Sequence, residues 1–287
     1  MRAVPLFAAI FLAVLCMSTA SIMIRFCTAP AMVIALYRLT FTTGLAGLIE
    51  GKNLRRNLAA VERLDWGYIL GAGFFLALHF AFWITSLSYT TVSSSVLFTN
   101  LQVIFVLIFS VIFLKEKLNR AVIAGILVAL TGCIFIAGGD LQSGKILGDM
   151  LALASGLFIA IYFLIGRRIR PRVRTFTYTF IVSATASVVI LLGTAAGGWS
   201  LTGYPAQDWL LFFLMALGPG ICGHAVLNWA LKYVQAPVVA VSVLGESVGA
   251  SILAYFIFHE HLLWYQIFGG LLILIGIYTA SVNQKAE

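Results

Sequence analysis

The sequence predicts an all-helical integral membrane protein in which ten transmembrane helices form two inverted repeats of five. Three observations support this fold class. Hydrophobic residues make up 62% of the 287-residue chain and charged residues only 10%, against roughly 25% charged residues in a soluble domain. Ten apolar runs are long enough to cross a bilayer. A sequence motif near residue 116 also recurs near residue 260.

A transmembrane helix needs about 20 predominantly apolar residues. The ten runs lie near 5–26, 32–50, 66–88, 92–114, 121–138, 147–166, 176–198, 208–231, 236–258 and 262–282. Strands of a membrane barrel would be half as long and would alternate in polarity, so helices are favoured. The first run resembles a signal peptide, but nine further spans follow it, so we interpret it as a retained helix. The short loops leave no room for a soluble catalytic domain.

The recurring motif is E-x-L-x(4)-I-x-G, which begins at Glu116 in the first half and at Glu260 in the second. The motif pairs Leu118 with Leu262, Ile123 with Ile267 and Gly125 with Gly269, and the pairs Leu127–Leu271 and Gly132–Gly276 continue it at the same offset along the chain. The pairs Asp65–Trp66 and Asp208–Trp209 support the same alignment. We therefore divide the chain into a first repeat over 1–139 and a second over 146–282.

The distribution of cationic residues predicts the orientation of the chain, because Lys and Arg prefer cytoplasmic loops. With the N-terminus inside, fifteen of the 18 Lys and Arg residues fall in cytoplasmic segments, and only Arg25 and Lys145 fall outside. The net charge of +8 is thus an orientation signal and does not indicate nucleic-acid binding. We expect the protein to span the cytoplasmic membrane several times, with both termini in the cytoplasm.

This orientation explains a difference between the two copies of the motif. Lys115 and Lys117 flank the first glutamate, on the cytoplasmic side, whereas His259 and His261 flank the second, on the external side. Five spans per repeat, an odd number, insert the second repeat upside down relative to the first. Inverted repeats of this kind are typical of secondary transporters that work by alternating access.

The chain resembles EamA-type members of the drug/metabolite transporter superfamily over nearly its whole length. The resemblance rests on the ten helices, the repeated glutamate motif and Arg38 early in the second span. The chain departs from the usual family pattern at Gln102–Val103, where a proline is absent, and at Ser247, where family members often have proline. The resemblance implies transport of small metabolites or drugs, including amino acids, vitamins and nucleotide-like compounds.

Glu246 is the only acid near the centre of a span, where an ionisable group is costly unless it has a partner or a function. Gln102 occupies the equivalent position of the first repeat, so a polar side chain recurs at one depth in both halves. We expect Glu246 to contact a substrate amine or to couple protons; the alternative is a buried carboxyl that pins its helix. Gly245 and Gly249 should let a neighbouring helix approach closely.

Pro219 is the only proline well inside a span, and it should break the eighth helix. His224 and Asn228 follow on one helical face, which is typical of a substrate-site wall beside a broken helix. The alternative is a kink packed by a hydrogen-bonded His–Asn pair. His79 in the third span, with Trp83 one turn later, should stack on a planar or cationic substrate, unless His79 is a satisfied core residue.

Arg38 lies seven residues into the second span, where it should clamp a substrate carboxylate, extend to the membrane surface or pair with Glu246. Asn100 should line the same cavity. Glu116 and Glu260 are expected to cap the starts of the fifth and tenth helices, in structural or gating roles.

The leading interpretation is therefore a secondary transporter of small metabolites, with amino acids as the first guess and export as the favoured direction. A multidrug or cation exporter of the same fold is the alternative, and a channel or a membrane enzyme is less favoured. Single aspartates at 65, 140, 149 and 208 and the lack of a nucleotide-binding motif argue against an enzyme. We expect a small-molecule substrate, contact with membrane lipid, no nucleic acid, no cofactor or metal, and a monomer or homodimer.

Overall fold

The computed structural model describes residues 3–90, 92–140, 146–258 and 264–283, and these residues contain helices and no strands. The first half holds α1 (Ala3–Ser18), α2 (Ala20–Phe26), α3 (Ala31–Glu50), α4 (Leu54–Ala59), α5 (Arg63–Ser86), α6 (Val92–Asn100), α7 (Gln102–Phe109) and α8 (Arg120–Asp140). The second half holds α9 (Ile146–Ile169), α10 (Thr175–Ala196), α11 (Ala206–Met215), α12 (Val226–Ala230), α13 (Ala236–Val243), α14 (Gly245–Phe258) and α15 (Trp264–Val282).

The ten predicted spans are confirmed as helical segments. Seven are long and apolar enough to cross a membrane by length and composition. They are Pro5–Phe26, Ala31–Ala59, Arg63–Ser86, Ile146–Ile169, Thr175–Ala196, Ala206–Ala230 and Ala236–Phe258. Three shorter apolar helices occupy the other positions: Phe98–Leu114, Arg120–Phe135 and Ile267–Val282. Large apolar side chains cover the outside of the bundle, as the hydrocarbon of a bilayer requires.

Several spans are broken rather than continuous. The eighth contains a ten-residue π-helical segment, Ala216–Ala225, with Pro219 inside it, which confirms the predicted break. The ninth is interrupted at Leu244, between α13 and α14, and the fourth at Leu101, between α6 and α7. Irregular backbone at membrane depth is tolerated where protein buries it or where it lines a cavity. These breaks therefore indicate where the interior of the bundle is polar.

The glycines of the repeated motif explain how the two halves join. Helices α8 and α15 pack along most of their lengths. A Cβ atom at Gly125 would lie 2.7 Å from the carbonyl oxygen of Gly276, and one at Gly132 would lie 2.9 Å from the nitrogen of Ile273. Only glycine lets the two backbones approach this closely. The small residues that recur in both repeats thus make the contact between the fifth and tenth spans.

The loops form two polar layers. The basic face consists of the loops 51–62, 115–119, 170–174 and 231–235, which carry most of the loop lysines and arginines. The opposite face consists of the loops 27–30, 87–90 and 197–205. On the basic face, Arg170 folds under the turn between α9 and α10 and donates to the carbonyl oxygens of Asn228 and Val173. Burial lowers the pKa of Arg170 to about 10.

Candidate functional site

A cavity lies in the middle of the bundle, between the two repeats. Its empty volume is about 470 Å³, open solvent at its mouth included. Spans from both halves line it, and most of the polar residues selected from the sequence are among its walls. The lining residues are Met17, Ala20, Arg38, His79, Trp83, Val96, Thr99, Asn100, Gln102, Ile159, Phe163, Pro219, His224, Val243 and Glu246.

Arg38 lies in α3 and is 2% exposed, so its side chain does not extend to the membrane surface. Its guanidinium carbon lies 4.3 Å from the centre of the Phe80 ring, in a cation–π contact. One guanidinium nitrogen, Nη1, is buried without a hydrogen-bond partner among the described residues. Buried polar atoms are rarely left unpaired, so Arg38 keeps a donor ready for a group in the cavity.

His79 and Trp83 form an aromatic wall on α5. Their rings are stacked at 6.0 Å with an interplanar angle of 7°. The Nδ1 atom of His79 lies 2.9 Å from the hydroxyl oxygen of Ser155 and 3.3 Å from its carbonyl oxygen. Ser155 can therefore donate to an unprotonated Nδ1 or accept from a protonated one. This pairing makes His79 partly a satisfied interior residue, while its ring still faces the cavity.

The breaks in the fourth and ninth spans place polar side chains at equivalent positions. Gln102 is the first residue of α7, and Glu246 lies in the first turn of α14. The positive ends of both half-helices thus point towards the middle of the membrane, as in transporters that bind substrate there. The Oε1 atom of Gln102 is buried without a partner among the described residues, and Glu246 is 9% exposed.

Asn100 joins these two breaks. Its Nδ2 atom donates to the hydroxyl of Ser247 over 2.5 Å, so the end of α6 is tied to the start of α14. A proline at position 247 could not accept this bond. Close packing of α14 against α1, expected from the glycines, is also observed, because a Cβ atom at Gly249 would lie 2.7 Å from Cβ of Ser18.

His224 lies near the end of the π-helical segment, and its ring meets that of Phe80 edge-on at 5.6 Å. Its Nδ1 atom is buried without a partner in the described part of the chain. The alternative interpretation, a hydrogen-bonded His224–Asn228 pair, is not what the structure shows. Asn228 instead donates from Nδ2 to the hydroxyl of Tyr162 and lines an adjacent second cavity, to which His224 and Arg38 also contribute.

The predicted capping role of Glu116 is wrong. Helix α8 begins at Arg120, and the side chain of Asn119 accepts from the N–H of Ala121 over 2.8 Å, so Asn119 supplies the cap. Glu116 lies too far before the helix and pairs with Arg167 at 2.9 Å, and Arg167 also donates to the carbonyl oxygen of Leu231. This structural contact joins the two repeats on the basic face. Glu260 lies outside the described residues.

Sequence reasoning missed several walls of the cavity. It also missed Ser155, which does not line the cavity but contacts the His79 ring at Nδ1, although a lone serine in the apolar run of α9 is a detectable signal. Thr99 and Phe163 give no comparable signal, since hydroxyl and aromatic residues are common in such spans. Within the described ranges, no group of three or more His, Cys, Asp or Glu residues is arranged to hold a metal ion.

Comparisons with known proteins place these features in a family. The model of the EamA-like transporter family matches twice, over residues 5–138 and 146–282. An uncharacterized transporter of Archaeoglobus fulgidus is 23% identical over 80% of this chain and 81% of its own length. The pseudopaline exporter CntI of Pseudomonas aeruginosa is 26% identical over 75% of this chain and 73% of its own length.

A solved structure supports the fold independently of function. It is titled only as the crystal structure of a protein, is 20% identical in sequence and covers 98% of both chains with a TM-score of 0.77. Because the family model matches nearly the whole chain in two copies, this protein belongs to the EamA-like transporter family.

Proposed function

We propose that the protein is an alternating-access exporter of small zwitterionic metabolites, with amino acids as the first candidates. It works in the cytoplasmic membrane as a transporter and not as an enzyme, with the basic face and both termini in the cytoplasm. The single observation that carries the substrate class is the presence of Arg38 and Glu246 in the walls of one buried cavity.

These two side chains come from different repeats and offer opposite chemistry. The guanidinium of Arg38 suits a carboxylate, and its Nη1 atom has no partner within the described chain. The carboxyl of Glu246 suits an amine. A small zwitterion would satisfy both residues at once, whereas a simple cation would leave Arg38 without a partner.

The remaining walls fit the body of such a substrate. Trp83, His79 and Phe163 present ring surfaces to the cavity, and Gln102 and His224 present polar atoms. Apolar walls with a few placed polar groups are typical of sites that select small molecules. Since residues from both repeats surround the cavity, a rocking motion of one repeat against the other would change which side of the membrane it faces.

Two further points support the direction and orientation. A relative that is 26% identical is an exporter of pseudopaline. We therefore propose that this protein also transports its substrate out of the cell. The loop lysines and arginines gather on the basic face, as the positive-inside rule requires of a cytoplasmic face.

The test is transport in proteoliposomes, with radiolabelled amino acids and with organic cations that lack a carboxylate. Arg38→Gln should lower amino-acid transport at least tenfold and leave cation transport unaffected. Arg168→Gln is a matched control, because Arg168 also lies over an aromatic ring, that of Tyr68 at 4.7 Å, but is exposed outside the cavity.

Two results would contradict the proposal. If Arg38→Gln transports amino acids as well as the wild-type protein does, Arg38 does not bind the substrate carboxylate. If Glu246→Gln abolished cation efflux at the same time, the cation exporter would be the better description.

A further inference from the structure

A second cavity adjoins the central one and has no role in the function proposed above. We call it the hydroxyl pocket, after the side chains that distinguish it: Thr42, Tyr162, Thr179, Ser183 and Asn228. Its empty volume is about 330 Å³. Arg38 and His224 line both cavities, so the hydroxyl pocket begins where the central cavity ends.

The hydroxyl pocket contains polar atoms that nothing in the described chain satisfies. The Oδ1 atom of Asn228 and the Oγ1 atom of Thr179 are buried without a hydrogen-bond partner. Both residues are almost fully enclosed, with exposures of 1% and 4%. Buried groups of this kind are uncommon because leaving them unpaired is costly, so they indicate a missing partner.

The donors and acceptors that line the pocket determine which chemical group could be that partner. The amide oxygen of Asn228 is an acceptor, because its Nδ2 atom already donates to the Tyr162 hydroxyl. That hydroxyl accepts one bond and keeps its own proton to donate, and the Thr179 hydroxyl can both donate and accept. Apart from Arg38 and His224 at the boundary with the central cavity, the side chains that line the pocket carry no charge at neutral pH. The pocket therefore suits a neutral group that both donates and accepts, such as an amide or a hydroxyl.

The position of Arg38 connects this pocket to the substrate. A carboxylate held by Arg38 lies at the boundary of the two cavities, so the rest of the molecule can extend from there towards Asn228. An apolar extension would leave Asn228 and Thr179 unsatisfied. An amide or hydroxyl would satisfy them.

We propose that the hydroxyl pocket is a specificity subsite for the neutral, hydrogen-bonding end of a zwitterionic substrate. This inference rests on the proposed function and narrows it: the preferred substrates are zwitterions with an amide or hydroxyl side chain. A pocket that holds only ordered water is the competing explanation.

Proteoliposome transport of radiolabelled L-glutamine and L-methionine tests the subsite, because their side chains have similar length but differ in hydrogen bonding. Wild-type protein should prefer glutamine. Thr179→Val keeps the shape of the side chain and removes the hydroxyl, so the ratio of glutamine to methionine transport should fall about fivefold, the effect of one net hydrogen bond. Asn228→Leu should lower this ratio at least as much.

Thr194→Val is the matched control. Thr194 lies on the same helix, α10, and is equally buried, but its hydroxyl bonds to the carbonyl oxygen of Ile190 and does not line the pocket. Its glutamine-to-methionine ratio should equal that of wild type. An unchanged ratio in both Thr179→Val and Asn228→Leu would overturn the subsite and support a pocket of ordered water.

The outcomes separate this inference from the proposed function. If both amino acids are carried and both need Arg38, but the ratio does not respond to Thr179→Val, only the subsite is wrong. If neither amino acid is carried, the zwitterion proposal fails and the subsite with it.

A labelling experiment covers the case in which a variant folds poorly. Thr179→Cys, with the four native cysteines replaced, should react with a small hydrophilic thiol reagent, and glutamine should slow this reaction more than methionine. A cysteine that does not react, or that both amino acids protect equally, would also overturn the subsite.

Discussion

Two aspartates at equivalent positions of the two repeats each bind a loop of the other repeat, one on each face of the molecule. Asp65 lies in the first turn of α5, on the basic face, and Asp208 lies in the first turn of α11, on the opposite face. Both are buried, at 1% and 0% exposure. Each carboxylate reaches the loop that joins the first two spans of the other repeat, so the contacts are related by the same inverted symmetry as the sequence.

The two contacts differ in chemistry. Asp65 forms an ion pair with Arg172 at 2.9 Å, and Arg172 is 44% exposed. Asp208 has no arginine in the equivalent loop and binds main-chain and hydroxyl donors instead. It accepts from the N–H of Thr28 at 3.1 Å, from the Thr28 hydroxyl at 2.9 Å and from the N–H of Ala29 at 3.0 Å.

The difference shows what a duplicated segment keeps and what it exchanges. The acid is kept because a carboxylate near a helix N-terminus is favourable on either side of a membrane. With the proposed orientation, the partner is exchanged because a cationic loop residue is favoured on the cytoplasmic side and disfavoured on the outside. The lysines beside Glu116 and the histidines beside Glu260 follow the same rule in sequence.

The largest expected effect is in labelling from the two sides of the membrane, because the comparison requires the two loops to face opposite sides. In protein without native cysteines, Arg172→Cys should react with a membrane-impermeant maleimide only from the cytoplasm, and Thr202→Cys only from outside. Both positions are exposed in the structure. Labelling of both cysteines from one side would break the inverted arrangement of the two faces.

The next effect compares an acid in the cavity with an acid on a face. Glu246→Gln should lower transport at least tenfold, because Glu246 lines the central cavity. Glu116→Gln should lower it by about twofold or less, since Glu116 pairs with Arg167 away from the cavity. Proteoliposome transport at matched protein levels measures both, and equal losses would contradict this division of roles.

A smaller effect separates the two aspartates themselves. Asp208→Ala leaves two main-chain N–H groups without their acceptor and should cost about 2–4 kcal/mol of stability. Asp65→Ala frees an arginine that reaches water and should cost about 1 kcal/mol or less. Thermal unfolding in detergent, followed by size-exclusion chromatography, compares them.

Glu62→Ala is the control for Asp65, because Glu62 is exposed and lies 3.8 Å from the same arginine. It should leave the melting temperature unchanged. A larger loss at Asp65 than at Asp208 would show that charge, and not main-chain bonding, dominates at these sites.

The smallest effect is the response to salt. Raising ionic strength from about 0.1 M to 1 M shortens the screening length from about 10 Å to 3 Å. The loss caused by Asp65→Ala should therefore shrink in high salt, because Arg172 is partly exposed. The loss caused by Asp208→Ala should stay constant, and a parallel decrease in both would remove the distinction between the contacts.

Much of this arrangement follows from sequence because membrane constraints act on each span separately. Length and hydropathy predicted the spans, and the scarcity of mid-span polar residues selected Arg38, His79, Glu246 and Gln102. A polar side chain in hydrocarbon needs an interior location, so all four line the central cavity.

Contacts between spans could not be predicted in the same way. The partner of Glu116 lies 51 residues away, and the spacing within one helix gives no information about it. Asn228 follows His224 by one turn and both line the hydroxyl pocket, yet the bonding partner of Asn228 is Tyr162, 66 residues away on another span. Asp65 and Asp208 served in the sequence only to align the repeats, and their partners depend on how the halves pack.

The central claim is that the two faces open in turn around one cavity. Two pairs of neighbouring positions allow each face to be locked with both aspartates kept in place: Glu62 with Arg172 on the basic face, where the cysteine also removes the Asp65 ion pair, and Phe26 with Gln207 on the opposite face. A short thiol cross-linker would join cysteines placed at either pair. Val96→Cys, in the wall of the central cavity, would report which side has access.

With the basic face locked, the cysteine at position 96 should react only from outside, and with the opposite face locked it should react only from the cytoplasm. Either lock should stop transport. Identical labelling of position 96 under both locks, or continued transport with one face locked, would contradict alternating access by this protein.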